Sequence, residues 1–261
     1  MWTYPTHRDA LAAEAKCVSF HPSQTLADPS FSDMEKFVRF VNLMMNDVTY
    51  LMDEALSKLT EIHSITSEME DQQTWAQQPQ NHRRERERLL HQYEGSATTY
   101  ISLGKSTVRL LKEFTAQTKG PFMTPEIVDR LAAMLTYNLD ALVGPRCQEL
   151  KVKNPEKYRF NPRELLGDIL QVFINLSDQG SFVKAVAGEG RSYRKELFER
   201  GAGIARKFAL KSETEIEQLR LFVGKVEEMK ATLAAEEDID GEIPDAFLGE
   251  LLTVGSFMMV C

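Results

Sequence analysis

Cysteine is scarce in this 261-residue sequence: Cys17, Cys147 and Cys261 are odd in number and far apart. That excludes a disulfide framework and suits a reducing compartment, so the expected location is cytoplasmic and nuclear. No run of about 18 apolar residues occurs, which excludes a bilayer-spanning helix. The first residues, Met1-Trp2-Thr3-Tyr4-Pro5, lack the apolar stretch of a signal peptide. Excess positive charge is missing too; the net charge of −8 argues against a general affinity for nucleic-acid phosphates. The five histidines (His7, His21, His63, His82 and His91) never fall in a zinc-ligand spacing with cysteine or carboxylate. No phosphate-binding glycine loop exists, and Gly188-Glu189-Gly190-Arg191 reads as a helix stop. Cys147 has no histidine base near it in sequence, so a packing role is expected over a nucleophilic one. No catalytic, cofactor-binding or metal-binding residue is assigned.

What is there is helix. Strand-like alternation is absent, and 43 % hydrophobic with 27 % charged residues marks a globular chain. Phe31-Ser32-Asp33-Met34-Glu35 is a capping box, after which Phe37, Val41, Met44, Val48, Leu51, Ala55, Leu59 and Ile62 keep one face apolar. Asn42, Asn46 and Asp47 on that helix are expected to face solvent or bond to another helix. Arg83, Arg84, Arg86 and Arg88 alternate with Glu85 and Glu87, the pattern of a solvated face with i, i+4 pairs. That helix runs through Tyr93, Ile101, Val108 and Phe114 and should stop at Gly120-Pro121.

The clearest stretch is 124–170. Thr124 caps a helix with Pro125 at its first position, and Ile127, Leu131, Met134, Leu135, Leu139 and Leu142 form its buried stripe. Gly144-Pro145 ends it, the glycine being read as tolerating a positive φ. A stiff, non-helical linker follows to Asn161-Pro162-Arg163-Glu164, the cap of the next helix. Ser181 is expected to cap a short helix over 182–187. A further helix turns Leu197, Phe198, Ile204, Ala205 and Phe208 inward. The capping box Ser212-Glu213-Thr214-Glu215 opens a final long one carrying Ile216, Leu219, Val223, Val226, Met229 and Leu233.

The stretch from Leu131 to Leu166, with Tyr137-Asn138-Leu139-Asp140, Gly144-Pro145 and Val152-Lys153-Asn154-Pro155-Glu156-Lys157-Tyr158, resembles the core of the ubiquitin chain-elongation factors, a family of U-box ubiquitin ligases. Residues 37–56 and 190–198 are similar to the same core, and Trp2, Pro5 and Arg8 match a short motif inside it. Residues 1–30 show no sustained period, and the resemblance implies an all-α, armadillo- or HEAT-like stack of about seven or eight helices after this short irregular N-terminus, with 1–235 as the C-terminal part of that core. Residues 236–261 would be an acidic linker and the start of a U-box.

In the family, the box opens with Pro-Asp-x-Phe-x-Asp-Pro and two apolar residues. Pro244, Asp245, Phe247, Leu251 and Leu252 fit, Gly249 and Glu250 replace Asp-Pro, and the rest departs. Leu251 is therefore the one candidate contact to a ubiquitin-conjugating enzyme. The resemblance implies a scaffold-type ubiquitin–protein transferase without a covalent step. The expected partners are a conjugating enzyme, an AAA-type ATPase segregase and ubiquitinated substrates, with neither nucleic acid nor a membrane span. The alternative is a non-catalytic helical scaffold, a truncated form that keeps core contacts without a working U-box and is inactive on its own.

Overall fold

The computed structural model describes residues 31–148, 150 and 152–241. Among these there are eight α-helices and no strand, as an all-α stack requires. The helices are α1 (Phe31–Glu70), α2 (Gln72–Gln77), α3 (Gln80–Gln117), α4 (Pro125–Val143), α5 (Pro162–Leu176), α6 (Gly180–Gly188), α7 (Lys195–Lys207) and α8 (Glu213–Gly241). Two compact units divide between Val41 and Asn42. The opening turns of α1 belong to the first unit, and all that follows concerns the second.

Helices α1 and α3 lie antiparallel. Met52 packs on Gly104, Lys58 lies 5.4 Å from the Tyr93 ring, and Glu68 reaches His82 and Arg86. Positions rise on one helix as they fall on the other. Ala55, Leu59 and Ile62 meet Ala97 and Ile101 between them, which is the outcome the stripe on α1 predicts. Helix α5 runs parallel to α3, because three lysines spaced seven apart meet successive carboxylates. Lys105 bonds Glu164 (2.7 Å), Lys112 bonds Asp168 (2.7 Å) and Lys119 bonds Asp178 (2.8 Å).

Helix α4 packs on α5, α6 and α7, and its whole expected stripe is buried. Helix α8 closes over α5, α6 and α7. Where these helices meet, Phe173, Phe182, Phe198 and Phe222 stack on one another with centroids 4.9–6.2 Å apart, all fully buried. Their edge-to-face and offset geometry is the one the ring quadrupole favours.

The two strong caps form as written. The Asn161 side chain accepts from the Glu164 amide (3.3 Å), and Ser212 and Glu215 bond reciprocally, Glu215 N to Ser212 Oγ and Ser212 N to Glu215 Oε2. Other local expectations are corrected. Thr124 stands at the N-cap, yet its hydroxyl donates to the Pro121 carbonyl and caps nothing. Gln179, not Ser181, is the N-cap of α6, which starts at Gly180. Helix α3 ends at Gln117, three residues before the expected glycine, and a single 3₁₀ turn fills Gly120–Met123. The arginine run forms an i, i+3 pair, Arg88–Glu85, and a cross-helix pair, Arg86–Glu68, in place of i, i+4 pairs.

Phe208 is 38 % exposed instead of inward. Ala209 adopts φ 52°, and the Leu210 amide bonds back to the Ala205 carbonyl (2.8 Å), a Schellman turn that swings Phe208 out. The guanidinium of Arg163 then covers its ring at 3.6 Å. Gly144 has φ −73°, so it is not needed for a left-handed turn. It is needed for space: a Cβ there would lie 2.3 Å from both the backbone and side-chain oxygens of Asp140.

Within α7, Gly203 faces open space where a Cβ would meet nothing within 4 Å. Gly203→Ala is expected to stabilise the chain by about 0.5–1 kcal/mol, because alanine restricts the unfolded chain and suits a helix interior. Urea unfolding checks it; an unchanged or lower midpoint would count against an open position.

Candidate functional site

The motifs that the sequence singles out converge on two polar seams. At the first, the linker 145–160 docks on the α1–α3 pair. A non-helical linker is expected from the sequence, but its described residues contain two single 3₁₀ turns, Pro145–Gln148 and Pro155–Tyr158. Pro155 sets the second turn, and Arg159 at φ 55° ends it. The reversal drops Tyr158 and Phe160 into the cluster of Ala55, Leu59, Ile62, Ala97 and Ile101. Glu94 on α3 is the anchor: its carboxylate accepts from Lys157 Nζ (2.5 Å) and from the Tyr158 hydroxyl (3.0 Å). Burial first, then the hydrogen bond to Glu94 and last its charge, push the Tyr158 phenol from 10 to about 12.

That shift has a pH consequence with a definite sign. The folded state holds the Tyr158 proton where the unfolded chain has released it, so the stabilisation is complete below about pH 10. It is lost progressively as pH rises from 10 through 12. In Tyr158→Phe this part of the alkaline decline in thermal midpoint should be missing; an identical decline in both proteins would disprove the assignment.

The second seam joins the C-terminal half of α4 to the 189–194 loop and α7. Glu189 folds its carboxylate over its own loop, accepting from the backbone amides of Arg191 (3.1 Å), Ser192 (2.8 Å) and Tyr193 (2.9 Å). Thr136 of α4 also points its hydroxyl at Glu189. Arg194 lies 3.6 Å from Asp140, and Arg200 donates to the Val143 carbonyl (2.6 Å), satisfying a helix end that Gly144-Pro145 leaves open. The Tyr193 hydroxyl bonds Glu227 of α8 (2.7 Å), and burial, then that carboxylate, raises its pKa. Asn138 is buried, with its amide nitrogen bonded to the Met134 carbonyl (2.8 Å).

Both seams position helices. Among the described residues no three of His, Cys, Asp and Glu converge as a metal site. Cys147 is half-buried in the turn after Gly144, its amide bonded to the Gly144 carbonyl. His82 sits against Glu68 (3.0 Å) and His91 beside Glu94 (3.7 Å), both histidines on α3. Arg130 of α4 donates to Asn42 (2.5 Å) and Asn46 (2.7 Å) of α1, the helix-to-helix role expected of those asparagines. Leu251, like all of 242–261, lies outside the described residues. Helix α8 continues over the acidic residues 236–241.

Sequence reasoning missed Glu94 and Glu189 as anchors. Glu94 carries no local signal, since Lys157 and Tyr158, which it anchors, lie more than sixty residues away. Glu189 did carry one: a carboxylate just before Gly-Arg-Ser can close on its own loop amides.

Comparison with known proteins places these motifs. Residues 1–227 match the family model of the ubiquitin elongating factor core. The chain is 49 % identical over 216 residues to the ubiquitin conjugation factor E4 of Schizosaccharomyces pombe, covering 83 % of this chain and 21 % of that protein. It is 41 % identical over 226 residues to the E4 ubiquitin-protein ligase UFD2 of Saccharomyces cerevisiae, covering 85 % and 23 %. It is also 36 % identical over 258 residues to a probable ubiquitin conjugation factor E4 of Arabidopsis thaliana, covering 95 % and 23 %. The chain thus spans about a fifth of the length of these curated relatives. With its helical stack and the match running through both seams, the chain belongs to the ubiquitin elongating factor core family.

Proposed function

We propose that the chain acts in ubiquitin chain elongation, as helical core of a U-box type ubiquitin–protein ligase that lengthens short chains on proteins bound for the proteasome. The observation that carries this reading is the match of residues 1–227 to the elongating factor core, together with relatives named as conjugation factors and as a ligase. Those names favour it over a non-catalytic scaffold. A rigid helical frame suits a scaffold-type transferase, which accelerates transfer by holding a charged conjugating enzyme and an acceptor in reactive geometry. Its partners are the ubiquitination machinery: a conjugating enzyme, which Leu251 would touch, an AAA-type ATPase segregase and ubiquitinated substrates. Its place is the cytoplasm and nucleus, a reading that rests on its few, unevenly placed cysteines.

The test adds purified residues 1–261 to a ubiquitin-charged conjugating enzyme and an acceptor already bearing a short ubiquitin chain. Lengthening of that chain above the rate without the protein supports the reading. An unchanged ladder from a helical sample, across several conjugating enzymes, would sink it for this polypeptide.

A further inference from the structure

A cleft of about 490 Å³ opens between α7 and α8. Its floor is apolar, with Phe198 and Ala202 from α7 and Leu219 and Val223 from α8. Its two lips are glycines, Gly203 and Gly224, each placed where a Cβ would meet nothing within 4 Å. Leu221, three residues before Gly224 on α8, stands 60 % exposed, so apolar surface continues over that lip. The cations around the cleft are already paired. Lys195 lies 3.7 Å from Glu199, Arg206 2.7 Å from Glu213 and Arg220 3.6 Å from Glu217. The rim is therefore neutral. A charged occupant would lose water here without gaining a free countercharge, so the cleft selects an uncharged, apolar one.

The chain that follows α8 carries such a stretch. Glu242, Asp245 and Glu250 are the charges of 242–250, and from Leu251 to Cys261 there is none. Leu251, Leu252, Val254, Phe257, Met258 and Val260 fall in that run. Left in water it is an association hazard, and its methionines suit an irregular cleft. The reach fits as well. Gly224 lies 17 residues before Gly241, about 25 Å along the helix axis. Residues 242–250 can span about 30 Å, enough to bring Leu251 back to Gly224. A tethered segment meets the cleft at an effective concentration near millimolar, which a second copy or a separate partner must beat.

We propose that residues 251–261 return along α8 and dock in the α7–α8 cleft, with apolar side chains over Leu219 and Val223 and the chain passing between Gly203 and Gly224. A methyl at Gly203 narrows a cleft of this size without filling it. Docked, the segment withholds Leu251 from a conjugating enzyme. That consequence rests on the elongation reading above; the docking itself does not.

The test measures maleimide labelling of Cys261 in the full chain, read peptide by peptide in a mass spectrometer. Labelling should be at least tenfold slower than in Gly224→Trp, whose ring fills the cleft from a position with room for it. Gly203→Trp, from the opposite lip, should free Cys261 to a similar degree. Circular dichroism checks that each variant keeps its helix, and a variant that keeps it decides. In Gly203→Cys, oxidised glutathione should close a disulfide to Cys261 within one chain, independent of protein concentration. Labelling that is equally fast, or equally slow, with and without the tryptophans overturns the proposal. A disulfide that forms only between chains assigns the cleft to a second copy and overturns it as well. No ubiquitin enters these measurements, so failure of the elongation reading would leave their outcome unchanged.

Discussion

Phe173→Ala should lower stability by about 3–5 kcal/mol, the usual loss for a fully buried ring whose site cannot collapse. The ring lies 4.9 Å from Phe198 and 5.9 Å from both Phe182 and Phe222, so its removal leaves three aromatic neighbours facing a void. Those neighbours sit on α6, α7 and α8, and Phe173 itself on α5. The site is thus pinned from four helices, and no single one can move in without leaving another. At about 2–4 °C per kcal/mol for a chain of this size, the midpoint should fall by roughly 6–20 °C. Thermal unfolding by circular dichroism measures it, and a fall under 3 °C would mean that the cluster is not one unit. Phe198→Ala added to Phe173→Ala should cost less than its single effect, because the two rings share a contact.

Gly144→Ala should cost about 1–3 kcal/mol by overpacking, although the residue has an ordinary φ of −73°. The added methyl would lie 2.3 Å from the Asp140 carbonyl oxygen, which already accepts the Gly144 amide at 2.7 Å. Backbone is what must move, and Arg200 holds the neighbouring Val143 carbonyl in place. Gly144→Asn separates this account from the left-handed-turn reading. Asparagine tolerates positive φ, so a conformational requirement predicts a mild effect. A spatial requirement predicts a loss at least equal to that of alanine. Denaturant midpoints of the two variants decide between them, and asparagine milder than alanine would refute the close-approach account.

The two glycine readings show what a sequence makes legible. Gly144-Pro145 marked the end of α4 correctly, because a helix end is a local event with local signals. Why glycine stands there depends on the Asp140 side chain folding back, which no pattern encodes. The stripe of α4 and the caps at Asn161 and Ser212 were legible for the same local reason. Tyr158 and Phe160 were not. They sit among prolines and charges, and only the 3₁₀ turn and the Arg159 reversal aim them at a cluster formed sixty to a hundred residues earlier. Phe208 failed in the opposite sense: its period fits α7, but the helix ends under it, and Arg163 takes the ring at the surface. The family was legible because its motifs are long and contiguous. The Glu94 anchor stayed hidden, since its partners Lys157 and Tyr158 lie far along the chain, whereas Glu189 closes on the amides of its own loop and was legible but missed.

The lysine ladder between α3 and α5 bears on how the chain is made. Its three ion pairs close loops of 59, 56 and 59 residues. Closing a flexible loop of that length costs about 3–4 kcal/mol of chain entropy, more than three surface pairs return. The helix between them, α4, carries its own apolar stripe and draws the loop short once it forms. Docking of α5 on α3 should therefore follow α4 rather than precede it. On a ribosome adding about 5–20 residues per second, α3 waits several seconds for the carboxylates that lock it. Through that interval the side of α3 that α5 will cover is open to whatever chaperone or aggregate meets it first.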